Sequence, residues 1–239
     1  MNDLIFRQVR ILDGSGGAEF IGDVSVREGR INEIGAVTEG LAPGGREIPA
    51  DGAVLCPGLI DTHAHDDGAF FRHPGMEFKL SQGVTTVVSG NCGFSAIPAD
   101  PTKDSVAASG GILAGLEGKF TDLAGYYAAA LARQPAINNI MLVGHNTVRS
   151  LVMGDSKSAP NDLQLQEMQR HVTHALEQGA CGFSSGLIYR PGRYSDTAEV
   201  TELAKMAAPF DALYTTHMRN EGDRCLLYTS DAADEHGCV

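Results

Sequence analysis

Residues 57–67 read PGLIDTHAHDD: a Pro-Gly turn, a short apolar run, then two histidines one residue apart with acidic neighbours. Four further stretches repeat the pattern of an apolar run with a polar tip: VTTVVSGNCG (84–93), INNIMLVGH (137–145), CGFSSGL (181–187) and ALYTTHM (212–218). Such short, nearly continuous apolar runs suit strands covered on both faces, the signature of a parallel sheet with crossover helices. Helical stretches lie between them. Thr121 and Asp122 open one, with Leu123, Tyr126, Ala130 and Leu131 at helical spacing. A second runs from about Asp162, with Leu165, Met168, Val172, Ala175 and Leu176 as its apolar face and Gly179 as its stop. Asp196 starts a third, where Glu199 three residues on makes a capping-box signature.

Strands alternating with helices, each strand ending in a chemistry-bearing residue, are how a (β/α)8 barrel presents an active site. About five βα units fit here, whereas a closed barrel takes eight and usually ~250 residues. The expected fold class is therefore α/β: an incomplete (β/α)8 TIM-type barrel preceded by a small N-terminal β-domain. In that first part, LIFRQVRILDGSGGAEFIGDVSVREGRINEIG (4–35) alternates apolar and polar residues around Gly-rich breaks, which predicts short antiparallel strands. Gly14, Gly16 and Gly17 read as a hairpin turn rather than a phosphate loop, since neither a lysine nor a helix follows them. The expected boundaries are 1–55 for the β-domain, 56–224 for the partial barrel, and 225–239 for a non-native tail. There CLLYTSDAADE breaks the pattern and resembles the translation of a sequencing adapter.

Composition narrows the function classes. With 30 acidic against 18 basic side chains the net charge is -12, which repels phosphate backbones and anionic lipid, so neither nucleic acid nor membrane is an expected partner. The 43% hydrophobic content is ample for a buried core. No signal-peptide run opens the chain, and the five cysteines are an odd number in no CxxC pair, so a reducing cytoplasm is the expected compartment.

His63 and His65 sit two apart at a strand end and project to one side, where two imidazoles can share a metal, with Asp61 and Asp66 available to orient their rings. Cys92 lies between Gly90 and Gly93, small neighbours that let a thiolate approach an ion. His217 closes the last strand. Three histidines and a cysteine match the N/S preference of zinc, which polarises a carbonyl or activates water. Cys56 and Cys181 read as packing residues, and His171 and His174 as solvent-facing positions on a helix. His145 is the candidate catalytic group, donating a hydrogen bond to the reacting carbonyl; holding a loop is an equal alternative. Tyr189, Arg190, Arg193 and Arg219 are placed to meet a substrate carboxylate, with an Arg219–Glu221 pair as the structural alternative for Arg219.

In this order, PGLIDTHAHDD, VTTVVSGNCGFS, LVGHNTVR, GFSSGLIYRPG and TTHMRNEGD resemble the motif set of the N-acyl-D-amino-acid deacylases (D-aminoacylases) of the amidohydrolase superfamily. The resemblance runs from the N-terminus to about Arg224. It implies a (β/α)8 barrel with a small β-sandwich, zinc as cofactor, and hydrolysis of the amide of N-acyl-D-amino acids, small-molecule substrates. It also implies that His63 and His65 bind one metal position, Cys92 lies at or between two, His217 binds the main zinc, and Tyr189 and Arg219 lie near the substrate. A further histidine and the family's general-base aspartate have no counterpart, so the chain reads as an N-terminal fragment expected to be inactive. Alternatives are a cyclic-amide hydrolase of the hydantoinase or dihydroorotase type, disfavoured because GFSSGLIYRPG lacks a bridging lysine, and a non-catalytic barrel fragment.

Overall fold

The computed structural model describes residues 1–102 and 119–222; the stretch 225–239 lies outside the described residues. The chain divides into two compact units, Met1–Gly58 and Leu59–Val239.

The first unit is a sheet of five strands: β1 (Asn2–Ile11), β2 (Phe20–Arg27), β3 (Arg30–Gly35), β4 (Leu41–Pro49) and β5 (Val54–Leu55). Their order is β3-β2-β1-β4, with β5 also paired to β1. Ile5, Val9, Ile11 and Val24 are buried, and Val9 and Ile11 alternate with the exposed Gln8 and Arg10. The Gly-rich break is a connection between antiparallel neighbours: the Ser15 N–H donates to Asp13 and the Gly17 N–H to Ser15 Oγ. β1, β2 and β3 are antiparallel as expected, but β4 and β5 run parallel to β1. Apolar alternation marks a strand without giving its direction; here the β2–β3 hairpin is long enough to carry the chain back as a parallel crossover.

The second unit is built on five parallel strands, β6 (Leu59–Asp61), β7 (Val84–Ser89), β8 (Asn138–Gly144), β9 (Gly182–Gly186) and β10 (Leu213–His217), paired in chain order. Two single-turn helices, α1 (Ala69–Arg72) and α2 (Glu77–Leu80), separate β6 from β7. Longer helices follow: α3 (Leu123–Leu131), α4 (His145–Met153), α5 (Asp162–Glu177) and α6 (Thr197–Ala204). Val87, Met141, Val143 and Phe183 from the strands meet Leu123, Tyr126, Val148, Met168, Val172 and Leu203 from the helices in one core. Each such side chain contributes roughly 1.5–3 kcal/mol by leaving water. This is the expected partial barrel: among the described residues, four strand–helix units and a fifth strand, all parallel, with their C-terminal ends on one side.

Local signals account for the helix ends. Asp122 accepts the Gly125 N–H at 2.8 Å to start α3, and Asn161 with Gln164 forms a reciprocal capping box at the start of α5. Gly179, at φ 96°, ends that helix in a conformation that costs glycine little. Expectations for four residues need correction. Leu131 points to solvent, and Leu165 is only half-buried. His171 is half-buried rather than solvent-facing, and burial lowers its pKa, whereas His174 is exposed. At α6, Asp196 caps as expected by accepting the Glu199 N–H at 2.8 Å, but the Glu199 side chain does not return to close a box. It is buried instead and binds residues of α4. Among the described residues no helix is long and apolar enough to cross a membrane.

Candidate metal centre

The strand ends of the second unit bring His63, Cys92 and His217 into contact. Cys92 Sγ lies 3.2 Å from His63 Nε2 and 3.4 Å from His217 Nδ1. His65 stands edge-on to His63 with ring centroids 5.5 Å apart, and the donor atoms of His63, His65 and Cys92 all lie within 4.8 Å of one another. Zinc bond lengths of about 2.3 Å to sulfur and 2.0–2.1 Å to nitrogen put tetrahedral neighbours roughly 3.3–3.6 Å apart, so the sulfur–nitrogen separations suit a shared ion.

Two further observations bear on the fit. His65 Nδ1 is buried without a hydrogen-bond partner. Burial first, and the neighbouring His63 second, push the His65 pKa down, so the ring is neutral with a lone pair to give. Burial, helped by the Glu221 charge, pushes the Cys92 thiol above its ordinary value. A cation against the sulfur is what brings such a thiol to the thiolate form. The donors that lie within 4.8 Å of one another, two nitrogens and one sulfur, with His217 Nδ1 against the sulfur, fit zinc and not an oxygen-seeking ion such as calcium.

The backbone is bent to present the thiol. Cys92 adopts the left-handed conformation, φ 56° and ψ 25°, between Gly90 at φ 81° and Gly93 at φ 78°. A side chain at Gly90 would place its Cβ 2.0 Å from the Leu142 carbonyl oxygen, so only glycine fits. A non-glycine residue held left-handed costs of order 1–3 kcal/mol, and such strain concentrates at functional positions.

The carboxylates do not take the part expected of them. Lys79 on α2 pairs with Asp61 at 2.6 Å and with Asp66 at 3.0 Å, and the other Asp61 oxygen accepts the His63 backbone N–H at 3.1 Å. Asp61 and Asp66 are thus held by a lysine rather than by imidazole rings. The Lys79 hydrogen bond holds the Asp61 carboxyl below the usual carboxylate range. The carboxylate beside an imidazole is Glu221, whose Oε1 is 2.9 Å from His217 Nε2.

Tyr189 reaches the cluster: its hydroxyl is 3.3 Å from His217 Nδ1, and its ring packs edge-on against His217 and Phe94. Arg219 does not pair with Glu221. Its guanidinium donates to the carbonyls of Arg193 at 2.8 Å and Ser195 at 3.0 Å, which leaves three of its five N–H groups for other partners. Arg190 pairs with Asp155. Cys56 is exposed rather than packed, and Cys181 is half-buried.

His145 is the residue that the structure places elsewhere. It is completely buried as the first residue of α4, its Nε2 is 2.8 Å from Glu199 Oε1, and its ring packs against Phe183. Arg149, one turn on, binds the other Glu199 oxygen and donates to the Ser158 carbonyl at 2.8 Å. His145 thus has no exposed surface and faces an acidic partner from α6, the surroundings of the holding alternative. Sequence reasoning passed over Ser184 and Asn146, both buried and both bonded to the turn that carries Cys92. Their signal was present, since polar residues inside an apolar strand or at a buried helix start must find partners.

The Amidohydrolase family profile matches residues 46–225. An N-acyl-D-glutamate deacylase from Alcaligenes xylosoxydans xylosoxydans is 44% identical over 221 residues, 92% of this chain and 44% of that protein. A D-aminoacylase from the same organism is 35% identical over 225 residues, 92% of this chain and 45% of its own. The crystal structure of an N-acyl-D-glutamate deacylase from Bordetella bronchiseptica, complexed with zinc and a phosphonate mimic of the tetrahedral intermediate, superposes with a TM-score of 0.84 at 41% identity. The match covers 94% of this chain and 46% of that one. The chain thus spans a little under half the length of the curated relatives it matches. A family match over residues 46–225, together with a relative 44% identical across 92% of the chain, establishes that the chain belongs to the amidohydrolase family.

Proposed function

We propose that these residues form the metal centre of a zinc-dependent hydrolase that cleaves the amide bond of N-acyl-D-amino acids, small-molecule substrates, with His63, His65, Cys92 and His217 as the ligands. The observation that carries the reading is the placement of Cys92 Sγ within 3.4 Å of nitrogens from two different strand ends. Similarity to the N-acyl-D-glutamate deacylase and the D-aminoacylase supports the substrate class. The absence of a lysine from β9, GFSSG, sets it apart from a lysine-bridged centre.

When bound, zinc supplies Lewis-acid polarisation of the acyl carbonyl and stabilises charge on its oxygen. The chain's own residues hold and orient. The neutral His65 gives an unshared lone pair, the strained Cys92 turn aims the sulfur, and the Glu221 carboxylate lies beside His217 Nε2, the nitrogen other than the one that meets Cys92. In this reading the Tyr189 hydroxyl, which meets His217, would hydrogen-bond a substrate carboxylate, with the spare N–H groups of Arg219 as further donors. The net charge of -12 supports a reading without nucleic acid as partner, and the free thiols of Cys56, Cys92 and Cys181 support the reducing cytoplasm as compartment.

The test is zinc-dependent ligand binding, read by calorimetry with N-acetyl-D-glutamate and its L enantiomer. Tighter binding of the D form, lost when zinc is removed or Cys92 is replaced by serine, is the expected result. Binding indifferent to zinc or to Cys92→Ser overturns the proposal.

A further inference from the structure

Ser184 lies in the middle of β9 and is completely buried. Its hydroxyl leaves its own strand for the turn that carries Cys92, accepting the Gly93 N–H at 3.0 Å and donating to the Gly90 carbonyl at 2.5 Å. Those two groups bracket the cysteine. A hydroxyl has one donor and two lone pairs, so this one side chain satisfies both backbone groups, where an apolar one would leave two buried polar groups unpaired. Asn146, fully buried at the start of α4, closes the remaining side: its Nδ2 donates to the Cys92 carbonyl at 3.4 Å and to the Gly186 carbonyl at 3.1 Å.

The turn has no ladder of its own. Gly90, Cys92 and Gly93 all have positive φ, and Phe94 N to Asn91 O is its internal bond. Its Asn91 side chain donates to the carbonyls of Val88 at 2.8 Å and Thr62 at 3.3 Å, and the other contacts that keep it left-handed, with Sγ toward His63 and His217, come from neighbouring strand ends. Ser185, the next residue of β9, faces the other way; its hydroxyl meets Tyr214 at 2.8 Å and Thr216 at 2.7 Å, both on β10.

We propose that Ser184, assisted by Asn146, is a positioning residue that holds the Cys92 turn in the conformation that presents its sulfur to a metal. The inference rests on the reading of Cys92 as a ligand. It gives the consecutive serines of GFSSG different work: one serves the thiolate, the other joins β9 to β10.

The test is titration of the full chain with Cd2+, followed by the ultraviolet thiolate-to-metal charge-transfer band, alongside thermal unfolding. The wild type shows a band that Cys92→Ser removes. Ser184→Ala weakens Cd2+ binding by about ten- to a hundredfold, the range for partners behind a ligand. Ser185→Ala, which loses an equally buried hydroxyl, binds Cd2+ within twofold of wild type whatever it does to the unfolding temperature. Unchanged affinity in Ser184→Ala, or an equal loss in Ser185→Ala, overturns the positioning role while leaving Cys92 a ligand. A wild type with no Cys92-dependent band overturns the ligand reading and this inference with it. Should Ser184→Ala not fold, Asn146→Ala decides: a loss in the same range supports the proposal and unchanged affinity overturns it.

Discussion

Cys92 Sγ and His63 Nε2 lie 3.2 Å apart although the residues are separated by 29 positions and belong to different strand ends. A parallel sheet makes that proximity: β6 and β7 are hydrogen-bonded neighbours running in the same direction, so the residues after each emerge side by side. The histidine stands in the bend that follows its strand, and the cysteine reaches it through a left-handed turn.

That turn is intolerant of a side chain at its first glycine. Gly90→Ala forces a Cβ against the Leu142 carbonyl and an unfavourable φ together, and is expected to destabilise the chain by about 3 kcal/mol or more. Urea unfolding measures it; a loss under 1 kcal/mol would show that the turn can relax.

The buried network of Glu199 with His145 and Arg149 gives a pH dependence. Burial works to raise the Glu199 carboxyl, but the His145 hydrogen bond and charge, followed by those of Arg149, outweigh it and hold the group below its ordinary range. A carboxyl with a depressed folded pKa contributes stability that is present above the unfolded pKa and lost as pH falls through the folded one. Unfolding free energy should therefore decline on the acid side of pH 4.5, the ordinary value, with Glu199 among the groups responsible. Glu199→Gln leaves Arg149 buried without its anion and is expected to cost about 3–5 kcal/mol at neutral pH. It should also flatten the acid decline. An acid limb as steep as that of the wild type would remove Glu199 from the explanation.

Arg219 ties two loop carbonyls to the end of β10. Replacing it with alanine should loosen residues 189–196 without unfolding the core. Limited proteolysis should cut the variant within that loop several times faster than wild type. Equal cutting rates would show that the two hydrogen bonds do not restrain the loop.

Three acidic side chains beside the cluster each lie within ion-pair distance of a partner: Asp61 and Asp66 of Lys79, and the largely exposed Glu221 of His217. To take a proton from water in attack on an amide, one of them would have to leave that partner. The 239-residue chain loaded with zinc is expected to release no amino acid from N-acetyl-D-glutamate above a metal-stripped control. Release above that control would show that one of these carboxylates leaves its partner to act as the base.

Much of this arrangement was legible from residues alone, for physical reasons. β7, β8 and β10 announce themselves because short apolar runs ending in polar tips have few other homes. His63, Cys92 and His217 were found because strand ends are where a barrel collects side chains. α4 was not foreseen: Val148, Leu151 and Val152 keep helical spacing in HNTVRSLVM, but the run follows β8 without a break, and His145, Asn146, Thr147, Arg149 and Ser150 are buried beside Val148, so polarity does not mark its outer face. Glu199 was assigned to a capping box because spacing cannot tell a glutamate that turns back to its own helix from one drawn across to an arginine. Asp61 and Asp66 went to Lys79 for a similar reason: which partner a carboxylate meets depends on the return path of the chain through α2.

X-ray absorption at the zinc edge, on the chain loaded with one equivalent of zinc, tests the central claim most directly. The account predicts one sulfur scatterer at about 2.3 Å together with nitrogen scatterers near 2.0–2.1 Å whose imidazole outer shells are visible, and loss of the sulfur shell in Cys92→Ser. A shell of nitrogen and oxygen alone in the wild-type chain would contradict it.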